Sequence, residues 1–213
     1  MSRFPLSFAR AWTGPSGRPR KRRPLTTDEQ TQARLVLTGL DLTPYRLARR
    51  NRPVTFVDVV ATGTTFEDLF TVLQDWVDDE HGQWDVIRTK IRFIGVTSRT
   101  HTSPNTVRWQ QHAPWTKTLP AGSVRNVSLV PSTWAYLADH QIKLTRSYFP
   151  DRWLAEADGP QRSERTRQAL AEAVAIVTYG RSRTGRRALA RTIDGEPALT
   201  QPWLRSLHRH LTP

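Results

Sequence analysis

The sequence predicts an α/β domain with a mostly parallel sheet, a basic N-terminal arm and a helical C-terminal appendage. Residues 54–60 are mostly β-branched or aromatic and include one acid, Asp58, a pattern typical of a strand buried on both faces of a parallel sheet. The chain then passes through a threonine-rich turn into a helix whose apolar residues recur at helical spacing. These apolar residues are Phe66, Leu69, Phe70, Leu73, Trp76 and Val77. We expect the arm over residues 1–25, the α/β domain over 26–154 and the appendage over 155–213.

Upstream of this strand, the sequence predicts a flexible arm and two helices. The arm has seven cations, no acid and several Pro and Gly, so it is either a solvated tail or a contact for nucleic acid or an acidic surface. Thr26 and Glu29 have the spacing of a capping box, and this first helix is expected to end at Gly39. A second helix should begin at Thr43 and Pro44, because proline suits the first helical position.

Downstream, alternating and apolar segments predict four more strands, at residues 86–97, 106–111, 123–130 and 141–153, with a short helix from Pro131. The appendage should contain a helix from Ser163 to Val177 with Leu170, Ala171, Val174 and Val177 on one face, and Gly180 as its stop signal. A basic cluster at residues 181–187 precedes a final helix that opens at residues 200–203.

Composition narrows the classes of function. The 213 residues carry a net charge of +13 at a pI near 11.3, mostly from arginine, which favours a polyanionic or phosphorylated partner. An arginine-rich background composition explains the same charge without any such partner. The chain has no cysteine, so disulfides and Cys-ligated metal centres are excluded. No apolar segment is long enough for a membrane helix or a signal peptide, so a cytoplasmic protein is expected.

The turn at residues 61–65 is the strongest candidate site. A strand, a tight turn and a helix N-terminus bring backbone N–H groups and the positive end of the helix dipole to one place, which suits an anion. Gly63 permits a close backbone approach, and Thr62, Thr64 and Thr65 add hydroxyl groups. The common nucleotide-loop, zinc-protease and serine-hydrolase motifs are absent. The sequence therefore predicts a phosphate site at this turn.

Residues 54–66 resemble the PRPP-binding loop of type I phosphoribosyltransferases, where PRPP is 5-phosphoribosyl pyrophosphate. The family pattern is an apolar strand, two acids, two apolar residues and a turn of the form x-Thr-Gly-x-Thr. On this register Asp58 matches the second acid and residues 61–65 match the turn. Val57 stands where the family has its first acid, which is a departure from the pattern.

The resemblance implies a Rossmann-like domain that transfers ribose 5-phosphate from PRPP to a nucleobase or an amine. Asp58 would contact the ribose hydroxyls and help to stabilise the oxocarbenium charge, while Mg²⁺ would arrive with PRPP rather than on protein ligands. The 5′-phosphate would be held by Ala61, Thr62, Gly63, Thr64 and Thr65. A homodimer is compatible with this assignment.

The acceptor base has three candidate ligands in the segment expected to reach the carboxyl edge of the sheet, where ligands bind in open α/β folds. These are Arg108, Trp109 and Gln110. Trp109 could stack on a base while Gln110 hydrogen-bonds to it; the other interpretation is that Trp109 packs in the core.

A non-catalytic function is the alternative. The family binds pyrophosphate with a strand and a glycine-rich loop well upstream of the PRPP-binding loop. None is evident in the 53 residues before the strand at residues 54–60, where the sole candidate, residues 35–39, is expected to be helical. Together with Val57, this favours a module that senses PRPP or a nucleotide and binds nucleic acid through residues 18–23 and 181–187.

Overall fold

The computed structural model describes residues 6, 8, 24–99, 108–142, 144, 153, 154, 159 and 161–212. The chain divides into two compact units, one with the sheet and the elements up to residue 140, the other with the helices from residue 164 onward. The predicted domain boundary between residues 154 and 155 adjoins residues outside the described part and stays a prediction.

Two helices lead into the sheet, as the sequence predicts. Helix α1 spans Thr27–Gly39 and helix α2 spans Pro44–Ala48. The capping box at α1 is formed in full: the Glu29 amide donates to Thr26 Oγ1 and the Thr26 amide donates to Glu29 Oε2 at 2.8 Å. Thr43 caps α2 by accepting from the Arg46 amide.

The described residues form a sheet of three parallel strands in the order β1-β2-β3. They span Val54–Val59, Ile91–Ser98 and Val124–Leu129. The prediction that the first strand is buried on both faces is wrong, because Val57 is 49% exposed; among the described strands β1 is also the first at one edge of the sheet. Thr55, on the same face of β1 as Val57, is exposed as well, so this face has no covering layer at these positions despite the apolar composition of the strand.

Helix α3, Thr64–Asp79, covers one face of the sheet and supplies much of the core. All six of its predicted apolar positions are buried. Phe66 packs edge-on against Phe93 of β2 with 5.1 Å between ring centroids, and Phe56 of β1 stacks on the same Phe93 at 5.5 Å. The strand-turn-helix unit predicted from the sequence is therefore present, with an aromatic core beneath it.

The predicted strand over residues 86–97 begins later than expected. Residues Trp84–Ile87 form the short helix α4, in which Ile87 is buried, and β2 starts at Ile91. In so short a segment, an alternating pattern of polar and apolar residues does not distinguish a helical turn from a strand. The predicted strand over 106–111 is also wrong where it is described, since Trp109–His112 form a 3₁₀ helix that is followed by a second one, Pro114–Thr118.

After β3 the chain turns into helix α5, Pro131–Ala135, which continues as a π-helical turn over Tyr136–His140. Trp134 of α5 donates its Nε1 hydrogen to the Val96 carbonyl of β2 at 3.0 Å. Of the last predicted strand, residues 141–153, the described residues are 141, 142, 144 and 153, and none of them is in a strand.

The second unit contains helices α6 (Glu164–Arg181), α7 (Arg183–Asp194) and α8 (Pro202–Leu211), with a 3₁₀ turn at Pro197–Thr200 before α8. Ala190 and Ile193 of α7 and Leu204 of α8 are buried. Gly180 is not the stop signal of α6, because the helix passes through it and ends at the cap residue Ser182, which also caps α7.

Two further predictions are corrected by burial. The apolar face expected on α6 is exposed, with Leu170, Val174 and Val177 between 49% and 63% accessible. The N-terminal arm is not a free tail along its whole length, because Leu6 and Phe8 are buried in the core of the first unit. Phe8 meets Trp153 edge-on at 5.4 Å, so apolar burial holds this part of the arm. The basic residues 18–23 lie outside the described part of the chain.

Candidate ligand-binding site at the carboxyl edge of the sheet

The core face of the sheet changes from apolar to polar toward the carboxyl ends of its strands. Paired residues of parallel strands share a face, so the register defines successive rows of side chains. One row is Phe56–Phe93–Val124 and the next, two residues on, is Asp58–Gly95–Asn126. The row after that pairs Thr97 with Ser128. Polar groups therefore lie where open α/β sheets place their ligands.

The predicted phosphate turn follows directly from the end of β1. The Val60 amide donates to the Val96 carbonyl at 2.9 Å, which ties the start of the turn to β2. Gly63 has a φ of 81°, a left-handed conformation that favours glycine, and it immediately precedes the first residue of α3. Because the cap residue is glycine, no side chain at that position caps the first turn of the 16-residue helix.

The threonines of the turn are placed differently from one another. Thr62 is exposed, and its Oγ1 lies 3.3 Å from Oγ1 of the half-buried Thr64. Thr65 is half-buried and Ala61 is exposed. The Thr62 and Thr64 hydroxyls are thus adjacent at the helix N-terminus, an arrangement that suits an oxyanion.

Trp109, rather than a ligand, makes the close approach to Gly63. A Cβ on Gly63 would overlap the six-membered ring of the Trp109 indole, and a Cβ on Gly95 would lie 2.9 Å from its Nε1. The indole thus rests on two glycines, one in the turn and one in β2. On this side of Gly63 the ring occupies the room that a phosphate would need.

Hydrogen bonds hold the indole in this position. Trp109 Nε1 donates to Asn126 Oδ1 at 2.9 Å, and Asn126 Nδ2 donates to Gln110 Oε1 at 3.1 Å. The ring also contacts the Phe66 ring, with 5.8 Å between centroids, and only 2% of Trp109 is exposed. Of the two interpretations of Trp109, core packing describes its position, and neither ring face is open for a nucleobase to stack on.

The other two base-binding candidates flank this anchored ring. Gln110 is half-buried and engaged with Asn126, while Arg108 is exposed at the start of the 3₁₀ helix. The structure therefore brings Asp58, Gly63, Trp109 and Gln110 to one end of the sheet. It presents Arg108, not Trp109, at the surface.

Asp58 is half-buried on the same face as Gly95 and Asn126. Its Oδ1 accepts a hydrogen bond from the Val59 amide at 2.8 Å. Burial raises the pKa of the carboxyl above its ordinary value, and this hydrogen bond offsets part of the rise. A carboxylate in this setting gains from hydroxyl donors, such as those of a sugar, because they replace the water it has lost.

Three residues that complete this end of the sheet were not predicted as site residues: Gly95, Thr97 and Asn126. Thr97 is fully buried and Asn126 is half-buried. The available signal was the presence of a glycine and an asparagine inside otherwise apolar strand segments, since polar residues and glycine are uncommon in strand interiors.

Two of the acidic residues at the end of α3 have defined partners, one cationic and one neutral. Asp79 pairs with Arg34 of α1 at 2.6 Å, and the Arg34 guanidinium lies 5.8 Å from the centroid of the Trp76 ring. Glu80 accepts from Trp76 Nε1. Within the residues described here, no group of three or more His, Asp or Glu side chains is placed to hold a metal ion.

No helix among the described segments is long and apolar enough to cross a membrane. No protein-family model, curated protein or solved structure matches the chain.

Proposed function

We propose that the protein binds a phosphorylated ribose, as in PRPP, at the carboxyl edge of its sheet. The 5′-phosphate would lie at the turn of residues 61–65, and Asp58 would accept hydrogen bonds from the ribose hydroxyls. The observation that carries this proposal is the left-handed Gly63 between strand β1 and the N-terminus of α3, with the Thr62 and Thr64 hydroxyls 3.3 Å apart beside it. The Rossmann-like, phosphoribosyltransferase-like assignment of this three-stranded α/β unit is part of the same proposal.

The electrostatics of the turn support an anion. A helix of 16 residues concentrates about half a positive charge at its N-terminus, and a phosphate there is stabilised by the dipole and by backbone N–H groups. Because the Trp109 ring covers one side of Gly63, the phosphate would approach from the side of the exposed Ala61 and Thr62.

The polar row Asp58–Gly95–Asn126 supports the proposal that the ligand contains a sugar. Asp58 lies near the carboxyl end of β1, a few residues before the turn, which is the order in which the resembling family contacts ribose and phosphate. In a transfer reaction the carboxylate would also stabilise positive charge developing on the ribose ring. In a binding protein it would serve recognition alone.

The elements upstream of β1 favour binding over transfer. Residues 27–39 and 44–48 are helical, so within the part of the chain described upstream of β1 there is no strand and glycine-rich loop to grip pyrophosphate. Transfer to a nucleobase or an amine, with pyrophosphate leaving on Mg²⁺, is the fuller form of the proposal. It requires a pyrophosphate contact from another part of the protein.

Calorimetric titration tests the proposal with PRPP–Mg²⁺, ribose 5-phosphate and pyrophosphate as separate ligands. The variants are Asp58→Asn and Thr62→Val/Thr64→Val, and the matched control is Thr71→Val, an exposed threonine farther along α3. We expect both site variants to weaken ribose 5-phosphate binding at least about tenfold, the equivalent of one or two charge-assisted hydrogen bonds, and the control to leave it unchanged.

The relative affinities for the three ligands distinguish a binding protein from a transferase. Equal affinity for ribose 5-phosphate and PRPP would indicate a phosphate and ribose site alone. Clearly tighter binding of PRPP would indicate a pyrophosphate contact and would justify an assay of transfer to bases and amines. Absence of binding by all three ligands would overturn the proposal.

A further inference from the structure

Helix α7 carries a stripe of exposed arginines, which we name the α7 arginine stripe: Arg183, Arg187 and Arg191. Their spacing of four residues places them on one flank of the helix, next to the buried side formed by Ala190 and Ile193. The rise of an α-helix sets them about 6 Å apart along the axis, so the stripe extends over about 12 Å. The basic cluster at residues 181–187 is evident in the sequence, but only the helical conformation places Arg191 on the same flank as Arg183 and Arg187.

The carboxylates near the stripe do not neutralise it. The only acid within α7 is Asp194, and its Oδ1 lies 2.8 Å from Nε2 of His208 on α8. Among the described residues of this unit, an ion pair joins Arg167 to Glu164 at the start of α6. Among the residues that the structure describes in this unit, the stripe arginines form no ion pair, so their charge faces solvent.

The position of Arg183 opposes the stability of the helix that carries the stripe. The first turn of α7 begins with Arg183, contains no acid and follows Arg181, although the N-terminal end of a helix disfavours cations. Anions bound along the stripe would reverse this repulsion. Arg191 lies in the last turn, where the dipole favours a cation, so the unfavourable placement is confined to the N-terminal end of the stripe.

We propose that the α7 arginine stripe binds the phosphate backbone of duplex DNA. Guanidinium groups form forked hydrogen bonds with phosphate oxygens, and a duplex presents phosphates at regular spacing on a stiff rod, which suits a rigid row of cations. Single-strand binding surfaces use aromatic platforms for unstacked bases, but helix α7 has no aromatic residue, and the exposed aromatic residues of the unit, Tyr179 and Trp203, lie on α6 and α8. Arg205 and Arg209, exposed and one turn apart on α8, add charge to the same unit.

Fluorescence anisotropy of a labelled DNA duplex, titrated with the full-length protein at several salt concentrations, tests this proposal. The test variant is R183Q/R187Q/R191Q. The matched control, R162Q/R165Q/R167Q, removes the same charge from exposed positions at the start of α6 in the same unit. If total charge alone drove binding, the two variants would behave alike.

We expect the stripe variant to bind at least about tenfold more weakly at low salt, with the control within about threefold of wild type. For B-DNA the slope of log K against log salt changes by about 0.9 for each phosphate contact, so the stripe variant should lose up to about 2.7 of that slope. If the triple variant loses its helical circular dichroism, the single variants R187Q and R165Q replace the triple variants. We expect R187Q to reduce the slope of log K against log salt by about 0.9 and R165Q to leave the slope unchanged.

Three outcomes would overturn the proposal. They are absence of duplex binding by wild type at low salt, equal weakening in the stripe and control variants, and binding of single-stranded DNA or RNA as tight as that of duplex DNA. The ligand and the residues differ from those of the phosphoribose site, so either proposal can fail without the other.

Discussion

The indole of Trp109 lies directly on Gly63, so that the 3₁₀ helix after β2 and the turn after β1 are packed together through a residue without a side chain. The same ring rests on Gly95 and donates to Asn126. This contact defines one wall of the candidate phosphoribose site, and it leads to the first two of four predictions about the chain's stability.

Gly63→Ala should destabilise the protein by about 1–3 kcal/mol, because a side chain in the left-handed region is strained and its Cβ would overlap the Trp109 ring. Gly39→Ala at the end of α1 is the matched control, since nothing lies within 4 Å of the added Cβ and its φ is not in the left-handed region. Chemical denaturation measures both. Equal stability of the two variants would show that the contact between Trp109 and Gly63 is absent in solution.

The hydrogen bond from Trp109 to Asn126 should appear as a coupling energy. In a double-mutant cycle of Trp109→Phe and Asn126→Ala, we expect about 0.5–1.5 kcal/mol of interaction free energy. Trp115→Phe with Asn126→Ala is the control, because Trp115 Nε1 has no hydrogen-bond partner among the described residues. Coupling near zero in the first cycle, or equal coupling in both, would contradict the assignment.

Asp58 should make the free energy of unfolding decrease as the pH rises. Its carboxyl has a higher pKa in the folded state than the ordinary value of about 3.9, so the unfolded chain releases the proton first as the pH rises. The cost of burying the charge is therefore absent below about pH 3.9 and is fully present above the raised folded pKa. Asp58→Asn removes this cost and retains an oxygen for the Val59 amide.

The measurement for this prediction is the free energy of unfolding at a series of pH values for wild type and Asp58→Asn. The difference, variant minus wild type, should increase as the pH rises through the window that starts near 3.9 and then level off. A difference that decreases with pH would mean that the folded state stabilises the carboxylate and would reverse the assigned sign.

The capping box of α1 should contribute to stability locally. Thr26→Ala removes the side-chain oxygen that accepts from the Glu29 amide and is expected to cost about 1 kcal/mol. Thr31→Ala, at an exposed position inside the same helix, should change stability by less than about 0.5 kcal/mol. Thermal denaturation followed by circular dichroism compares them, and a loss in the Thr31 variant as large as that in the Thr26 variant would exclude a specific role for the cap.

Features that depend on neighbours in sequence could be predicted well. The capping box at Thr26, the start of α2 at Pro44 and the buried positions of α3 all follow from residues within a few positions of each other. Prediction failed in short alternating segments. The pattern predicts strand at residues 86–87 and 109–111, which belong to the helix Trp84–Ile87 and the 3₁₀ helix Trp109–His112, because four or five residues do not distinguish the two periods.

By itself, the sequence determined the strand-turn-helix unit at residues 54–79, the glycine of its turn and the arginine-rich character of the chain, because each depends on local spacing or composition. Only the tertiary structure decided that β1 is an edge strand, that Trp109 fills the space beside Gly63, that Asn126 joins Asp58 in one row, and that Arg183, Arg187 and Arg191 line one flank of a helix. The first three arise from contacts between segments far apart in the chain. Their free energy depends on which surfaces meet, and a periodic pattern in one segment carries no information about the surface it will meet.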